Sequence, residues 1–205
     1  MRRITKHRPV RDTVALVGDG QTERIYFADV RDVDRPAGLT IQPDYPRRLG
    51  SFKGVLDRAI KLKNEGFNHV FALIDMDKIL HDNRTAEYEQ AKTVAENAGI
   101  LVLENNPCFE MWLLLHFVFT GKHFGTCSDV VSDLKKHIPN YSKGEKFLNG
   151  AGLYRQYKQQ LLENALMNAK KLEKNRTAQS KQYPRAETFR FFEWYFAQQG
   201  LESTT

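Results

Sequence analysis

Five consecutive apolar residues, Val70-Phe71-Ala72-Leu73-Ile74, run straight into Asp75-Met76-Asp77. A strand with no polar alternation has to be covered on both faces, as parallel strands are inside an α/β fold. Val14-Ala15-Leu16-Val17, broken by Gly18-Asp19-Gly20, has the same character, and so does Ile100-Leu101-Val102-Leu103. Helical spacing fills the intervals. One helix is expected from Thr22 to about Arg31. A second runs from an N-cap at Ser51 to about Glu65, with Val55, Leu56, Ala59, Ile60 and Leu62 along it and Gly66 ending it. A third runs from Thr85 to Ala98, closed by Gly99. Leu39 to Tyr45 contains Pro43 and reads as a poor or edge strand. Alternating strands and helices predict an α/β fold with a mostly parallel central sheet, flanking helices and right-handed crossovers.

After the last strand, Asn106 is expected to cap a helix with Pro107 in its first turn, running through Phe117. Beyond residue 118 no strand is expected. Helices are expected over 128–137, 152–173 and 186–199, with loops over 121–125 and 140–152. The expected organisation is a basic tail at 1–12, an α/β core at 13–120 and an all-helical C-terminal annex at 121–200. The annex packs on the core as part of one domain, because no linker-like change in composition separates them.

Hydrophobic residues make up 41% of the 205, and the mean hydropathy is −0.55. No run approaches the roughly 20 apolar residues needed to cross a bilayer. No membrane partner is therefore expected, and the basic start of the chain has no apolar stretch behind it to make it a secretory signal. That start is either a solvated tail or an arm that touches phosphates. Cys108 and Cys127 are the only cysteines. They are expected to be small buried hydrophobes in a protein of the reducing cytoplasm. The net charge of +6 permits a polyanionic partner without requiring one.

The strand ends carry the chemistry. In an open parallel sheet, ligands bind beyond the carboxyl ends of the strands. If the strands are parallel, Asp19, Glu23, Asp75, Asp77 and Glu110 gather at one edge. Clustered carboxylates repel, and a hard divalent cation resolves the repulsion with oxygen ligands. Taken singly, each residue has a simpler reading. Asp19-Gly20 makes a common turn, Asp75-x-Asp77 a loop with a helix cap, and Glu110 complements a helix dipole. His116 follows Trp112 by four residues and shares its helix face. It is either a core histidine or a proton donor at the site. Lys143, Lys146, Arg176, Lys181 and Arg185 form a basic C-terminal set, either a solvated surface or a groove that tracks phosphates.

Three stretches resemble RloB-like proteins. Val14-Ala15-Leu16-Val17-Gly18-Asp19-Gly20-Gln21-Thr22-Glu23-Arg24-Ile25-Tyr26-Phe27 is similar to their Glu-Gly-x-Thr-Glu-x-x-Tyr-Phe opening. Phe71-Ala72-Leu73-Ile74-Asp75-Met76-Asp77 resembles their strand ending in Asp-x-Asp. Asn106-Pro107-Cys108-Phe109-Glu110-Met111-Trp112-Leu113-Leu114-Leu115-His116-Phe117 matches their Asn-Pro-x-Phe-Glu-x-Trp-Leu-Leu-x-His-Phe signature. The family is grouped with Toprim-type proteins, encoded near restriction–modification and antiphage defence genes and often beside an AAA-type ATPase.

The resemblance implies a Toprim-like fold in which Asp19 takes the place of an acid–base or metal-binding Glu. It further implies that Asp75 and Asp77 form the metal-binding pair, with Glu23 as a second acidic residue seen in overcoming-lysogenisation-defect nucleases. Asp at 19 is one methylene shorter than the family's Glu. The expected activity is a magnesium- or manganese-dependent endonuclease acting on DNA or RNA. Asp19, Glu23, Asp75 and Asp77 would bind metal, and Asp19, Glu23, Glu110 and His116 would act in catalysis. Two other functions compete. One is a non-catalytic partner or sensor module of an AAA-type ATPase. The other is a nucleotide-binding enzyme with Gly18-Asp19-Gly20 as its phosphate loop, although this loop lacks the Lys-Ser/Thr of a P-loop.

Overall fold

The computed structural model describes residues 11–44, 50–176 and 183–200. Most of the basic tail and Lys181 lie outside the described residues. The chain begins β1 (Asp12–Val17), α1 (Gln21–Asp34), β2 (Leu39–Asp44), α2 (Phe52–Asn64) and β3 (His69–Asp75). It continues α3 (Asp77–His81), α4 (Thr85–Asn97), β4 (Leu101–Asn106) and α5 (Glu110–Leu114). The sheet order is β2-β1-β3-β4-β5, where β5 is Arg185–Ala186. The first four strands are parallel and β5 is antiparallel to β4. The fold is thus α/β with a mostly parallel sheet, and β2 with its Pro43 lies at the edge, where a missing N–H costs no ladder bond.

The continuous apolar strands are covered as their sequence requires. Val14, Leu16, Phe71, Leu73 and Leu103 face one helical layer, with Tyr26, Phe27 and Val30 of α1. Ala15, Val17, Val70, Ala72, Ile74 and Val102 face the other, with Val55, Leu56, Ala59 and Leu62 of α2 and Tyr88 and Ala95 of α4. The strand order explains this split. From β1 the chain steps outward to β2, then back across to β3 and on to β4. Crossovers of one hand put helices on opposite faces when the direction of travel reverses. The reversal lies between β1 and β3.

The remaining helices are α6 (Cys127–Leu134), α7 (Glu145–Ala151), α8 (Leu153–Gln160), α9 (Leu166–Arg176) and α10 (Thr188–Gln198), with a π-helical turn at Leu161–Ala165 between α8 and α9. They extend the α1 layer, and their buried residues join the same core as β1, β3 and α1. Four expectations need correction. The annex is not all-helical, because β5 pairs Ala186 with Asn105 and Arg185 with Asn106; two residues are too few to show alternation. The 140–152 segment contains α7, which ends at Gly152 in the left-handed region (φ 53°). The single helix expected over 152–173 is broken at Tyr157 (φ −116°) and by the π-helical turn. Finally, Asn106 is no N-cap. It ends β4, as the extended bias of a residue before proline favours, and the helix begins only at Glu110.

The largest buried side chain is Trp112. Its ring stacks on Phe192 of α10, centroids 5.4 Å apart, and its Nε1 donates to the Tyr26 hydroxyl at 3.2 Å. It therefore joins α5, α1 and α10. Trp112→Ala is expected to cost about 3–5 kcal/mol, a fall in Tm on the order of 10 °C for a chain of this size. A Tm within a degree or two of wild type in a thermal melt would contradict this packing.

Candidate metal centre at the carboxyl edge of the sheet

The loop after β1 and the first turn of α1 bring Asp19 and Glu23 to the edge of the sheet, and Asp75 ends β3 beside them. Ligand oxygens of Asp19, Glu23 and Asp75 all lie within 4.8 Å of one another. Local sequence explains each placement. Glu23 folds back over Gly20, where a Cβ would collide with its carboxylate. A side chain at position 20 would have to displace that carboxylate. The Asp75 Oδ1 accepts the Phe109 N–H at 2.9 Å, which aims the carboxylate and ties β3 to the turn after β4. The carbonyl of Pro107 accepts the N–H of both Met76 and Asp77, each at 3.0 Å, so the whole Asp-x-Asp turn hangs on residues 107–109.

The carboxylates line a cavity of about 430 Å³, within the size range of small-ligand sites. Asp77 lines it too, but it stands outside the close cluster, and its Oδ1 accepts the Lys78 N–H. Glu110 is buried behind the cavity wall. It accepts from Tyr141 at 2.7 Å and Thr22 at 3.4 Å, and pairs with Lys143 at 2.9 Å. Lys143 reaches the cavity, as do Lys78 and Arg84.

Electrostatics mark the cluster. Burial, then the charges of Glu110 and Asp19, push Glu23 up to about 8. Burial, then Glu23, Glu110 and Asp19, hold Asp75 well above the usual carboxylate range. Asp19 is also raised, by the crowding protein around a side chain that still reaches solvent, against the pull of Lys78. Lys143 is raised despite its partial burial, by Glu110 and then Asp75 and Glu23. The arrangement fits a hard divalent cation, which takes carboxylate oxygens and waters. Asp19, Glu23 and Asp75 would hold it.

Other expected site residues lie elsewhere. His116 is in the core, 1% exposed, and does not line the cavity. Its Nδ1 donates to the Trp112 carbonyl at 2.9 Å, leaving Nε2, 3.4 Å away, to accept the Tyr26 hydroxyl proton. Burial lowers it to about 4, so it is uncharged near neutral pH. Arg185 is half-buried against Glu104, and Arg176 pairs with Glu187 at 2.9 Å, both at the β4–β5 edge away from the cavity. They neutralise buried carboxylates there. Lys146 is exposed on α7 and also away from the cavity. Of the basic set, Lys143 alone among the described residues lines it. Lys78 and Arg84 were missed by sequence reasoning; the signal for Lys78 was its place directly after Asp77.

The cysteines also need correction. Cys108 and Cys127 are joined by a disulfide, Cα to Cα 5.6 Å, across a sequence separation of 19. Counting cysteines could not show that the first turn before α5 and the start of α6 meet in space. The bonded Cys127 sulfur carries no proton, so its 3.2 Å approach to Glu110 is a contact and not a hydrogen bond. Lys143 can donate to it, also at 3.2 Å.

The Glu23 shift has a consequence for stability. Its folded value of about 8 lies above the ordinary 4.5, so the native state binds the proton more tightly. That contribution is full below about pH 4.5 and is lost as pH rises through 8. In chelator, Glu23→Gln should therefore gain Tm relative to wild type between pH 5 and pH 9. A difference in Tm that stays constant across this range in scanning calorimetry would show that Glu23 is not held in a crowded, buried place.

No helix among the described residues is long and apolar enough to cross a membrane. No curated protein and no solved structure matches the chain. The family model described as RloB-like protein matches residues 14–192, from within β1 to within α10. On that match the chain belongs to the RloB-like family.

Proposed function

We propose that this protein is a magnesium- or manganese-dependent nuclease of Toprim type that cleaves DNA or RNA. The observation that carries the reading is the convergence of Asp19, Glu23 and Asp75 within 4.8 Å, at the carboxyl ends of adjacent parallel strands. A structural cluster of carboxylates would be paired off with cations. Here the carboxyls of Glu23 and Asp75 are instead destabilised as charges, which is the condition a bound cation relieves. Strongly shifted groups that line a cleft mark functional sites more often than structural ones.

The cation supplies electrostatic stabilisation of charge that builds on a phosphoryl group. The chain's own groups do the rest. Lys143, Lys78 and Arg84 line the cavity and favour an approaching phosphodiester. Glu23, which holds its proton to about pH 8 in the metal-free site, would release it on binding the cation. The restriction and antiphage setting, and an AAA-type ATPase as partner, rest on the family resemblance. Asp19 reaches the cluster in spite of its shorter side chain, which favours the catalytic reading over that of a degenerate partner module.

The test is purified protein incubated with plasmid, single-stranded DNA and RNA in magnesium or manganese, with and without chelator. Cleavage should require the metal. Asp75→Asn and Asp19→Asn should each lose on the order of a hundredfold in rate or more, because an amide is a poor ligand for a hard cation. Asp19→Glu should retain activity. Asp77→Asn, outside the close cluster, should lose less than Asp75→Asn. Cleavage insensitive to chelator, or full activity in Asp19→Asn, would overturn the assignment.

A further inference from the structure

The disulfide sits where the site is held together. Cys108 lies between Pro107, whose carbonyl takes the N–H of Met76 and Asp77, and Phe109, whose N–H binds Asp75. Cys127 begins α6, whose N-terminus is fixed by a Thr126–Asp129 capping box. The Cys127 sulfur also touches Lys143, the ammonium that faces Glu110 at 2.9 Å. The covalent bond therefore ties the turn that aims Asp75 to the wall that carries the site's lysine. The two sulfurs differ in access. Cys108 is 1% exposed, whereas Cys127 is partly exposed and lines the cavity.

We propose that the Cys108–Cys127 disulfide is a redox-sensitive brace of the carboxylate cluster, and that a thiol reductant entering the cavity opens it and weakens divalent-cation binding. The inference rests on the metal-site reading above. The chemistry balances with a dithiol as reductant. One thiolate of the dithiol attacks the Cys127 sulfur, the S–S bond breaks, and Cys108 leaves as a thiolate that takes a proton. The second thiol of the reductant then attacks the mixed disulfide and releases Cys127 as a thiol. The protein gains two electrons and two protons, and the dithiol becomes a disulfide. Once the bond is open, α6 loses its covalent tie to residues 107–109, and the Cys127 sulfur that touches Lys143 is free to move. Loss of a supporting contact behind a metal ligand costs on the order of 10–100-fold in affinity.

The full-length protein is prepared oxidised with diamide and reduced with a phosphine, and both reagents are removed. Alkylation and mass measurement then confirm zero or two free thiols. Manganese is titrated by calorimetry. The reduced form should bind at least about tenfold more weakly, while circular dichroism shows it still folded. Cys127→Ser should bind as the reduced form does, whatever the redox treatment. If that variant does not fold, the wild-type comparison alone decides. Equal affinity in the two forms overturns the brace and leaves the metal site standing. Two alkylated cysteines after oxidation also overturn it. Failure of both forms to bind manganese overturns the metal site itself, and the brace with it.

Discussion

A carboxylate that ionises inside a protein gives up water for surroundings that screen its neighbours poorly, and this chain sets buried Glu23 and half-buried Asp75 within 4.8 Å of each other and of exposed Asp19. Much of the local architecture follows from that crowding. The Glu23 carboxylate lies where a Cβ at Gly20 would stand. The Phe109 N–H is committed to Asp75. Glu110, just behind them, is held by Tyr141, Thr22 and Lys143. Each contact orients an acid, yet only the lysine brings positive charge. The cluster is positioned by hydrogen bonds without being neutralised by them.

The sheet provides the crevice and the core provides the rigidity. Loops diverge where the strand order reverses, between β1 and β3, and ligands of open α/β sheets lie at such points. Behind the crevice, α1 and α5 each carry one acid on the side of the site and one aromatic toward the core. Glu23 precedes Tyr26 by three residues, and Glu110 precedes Trp112 by two. Tyr26 accepts from Trp112 and approaches His116, so a buried polar chain locks the two helices together. His116 thus serves the site from a distance, by fixing the helices that present the acids. A core side chain and a site side chain are separate duties that share one short helix.

The strands and the acids at their ends were readable from sequence because both are local signals. A continuous apolar run specifies a strand covered on both faces, and the residue after it lies at the carboxyl edge whatever the rest of the chain does. What escaped were facts about pairs distant in sequence. Arg185 and Glu104 stand 81 residues apart, and nothing near Arg185 announces a buried carboxylate partner. His116 meets Tyr26 across 90 residues. The Cys108–Cys127 bond depends on where the chain places α6. The boundary of α5 failed for a different reason: Asn106-Pro107 fits either a helix start or a strand end, and β5 pairing with Asn105 and Asn106 decides for the strand.

Net charge is the global property that says least about the site, and its distribution shows why. Part of the chain's excess of cations is spent internally, Arg185 and Lys92 on buried Glu104, Arg176 on buried Glu187. At the cavity the balance is reversed: Asp19, Glu23, Asp75, Asp77 and Asp82 line it with Lys78, Arg84 and Lys143. Asp77 and Asp82 line the same cavity outside the close cluster. Burial and mutual repulsion raise Glu23, Asp75 and Asp19 together, so the cluster favours either protons or a bound cation. A cation held by Glu23 would have to displace its proton, so affinity at the cluster would fall as pH drops below about 8.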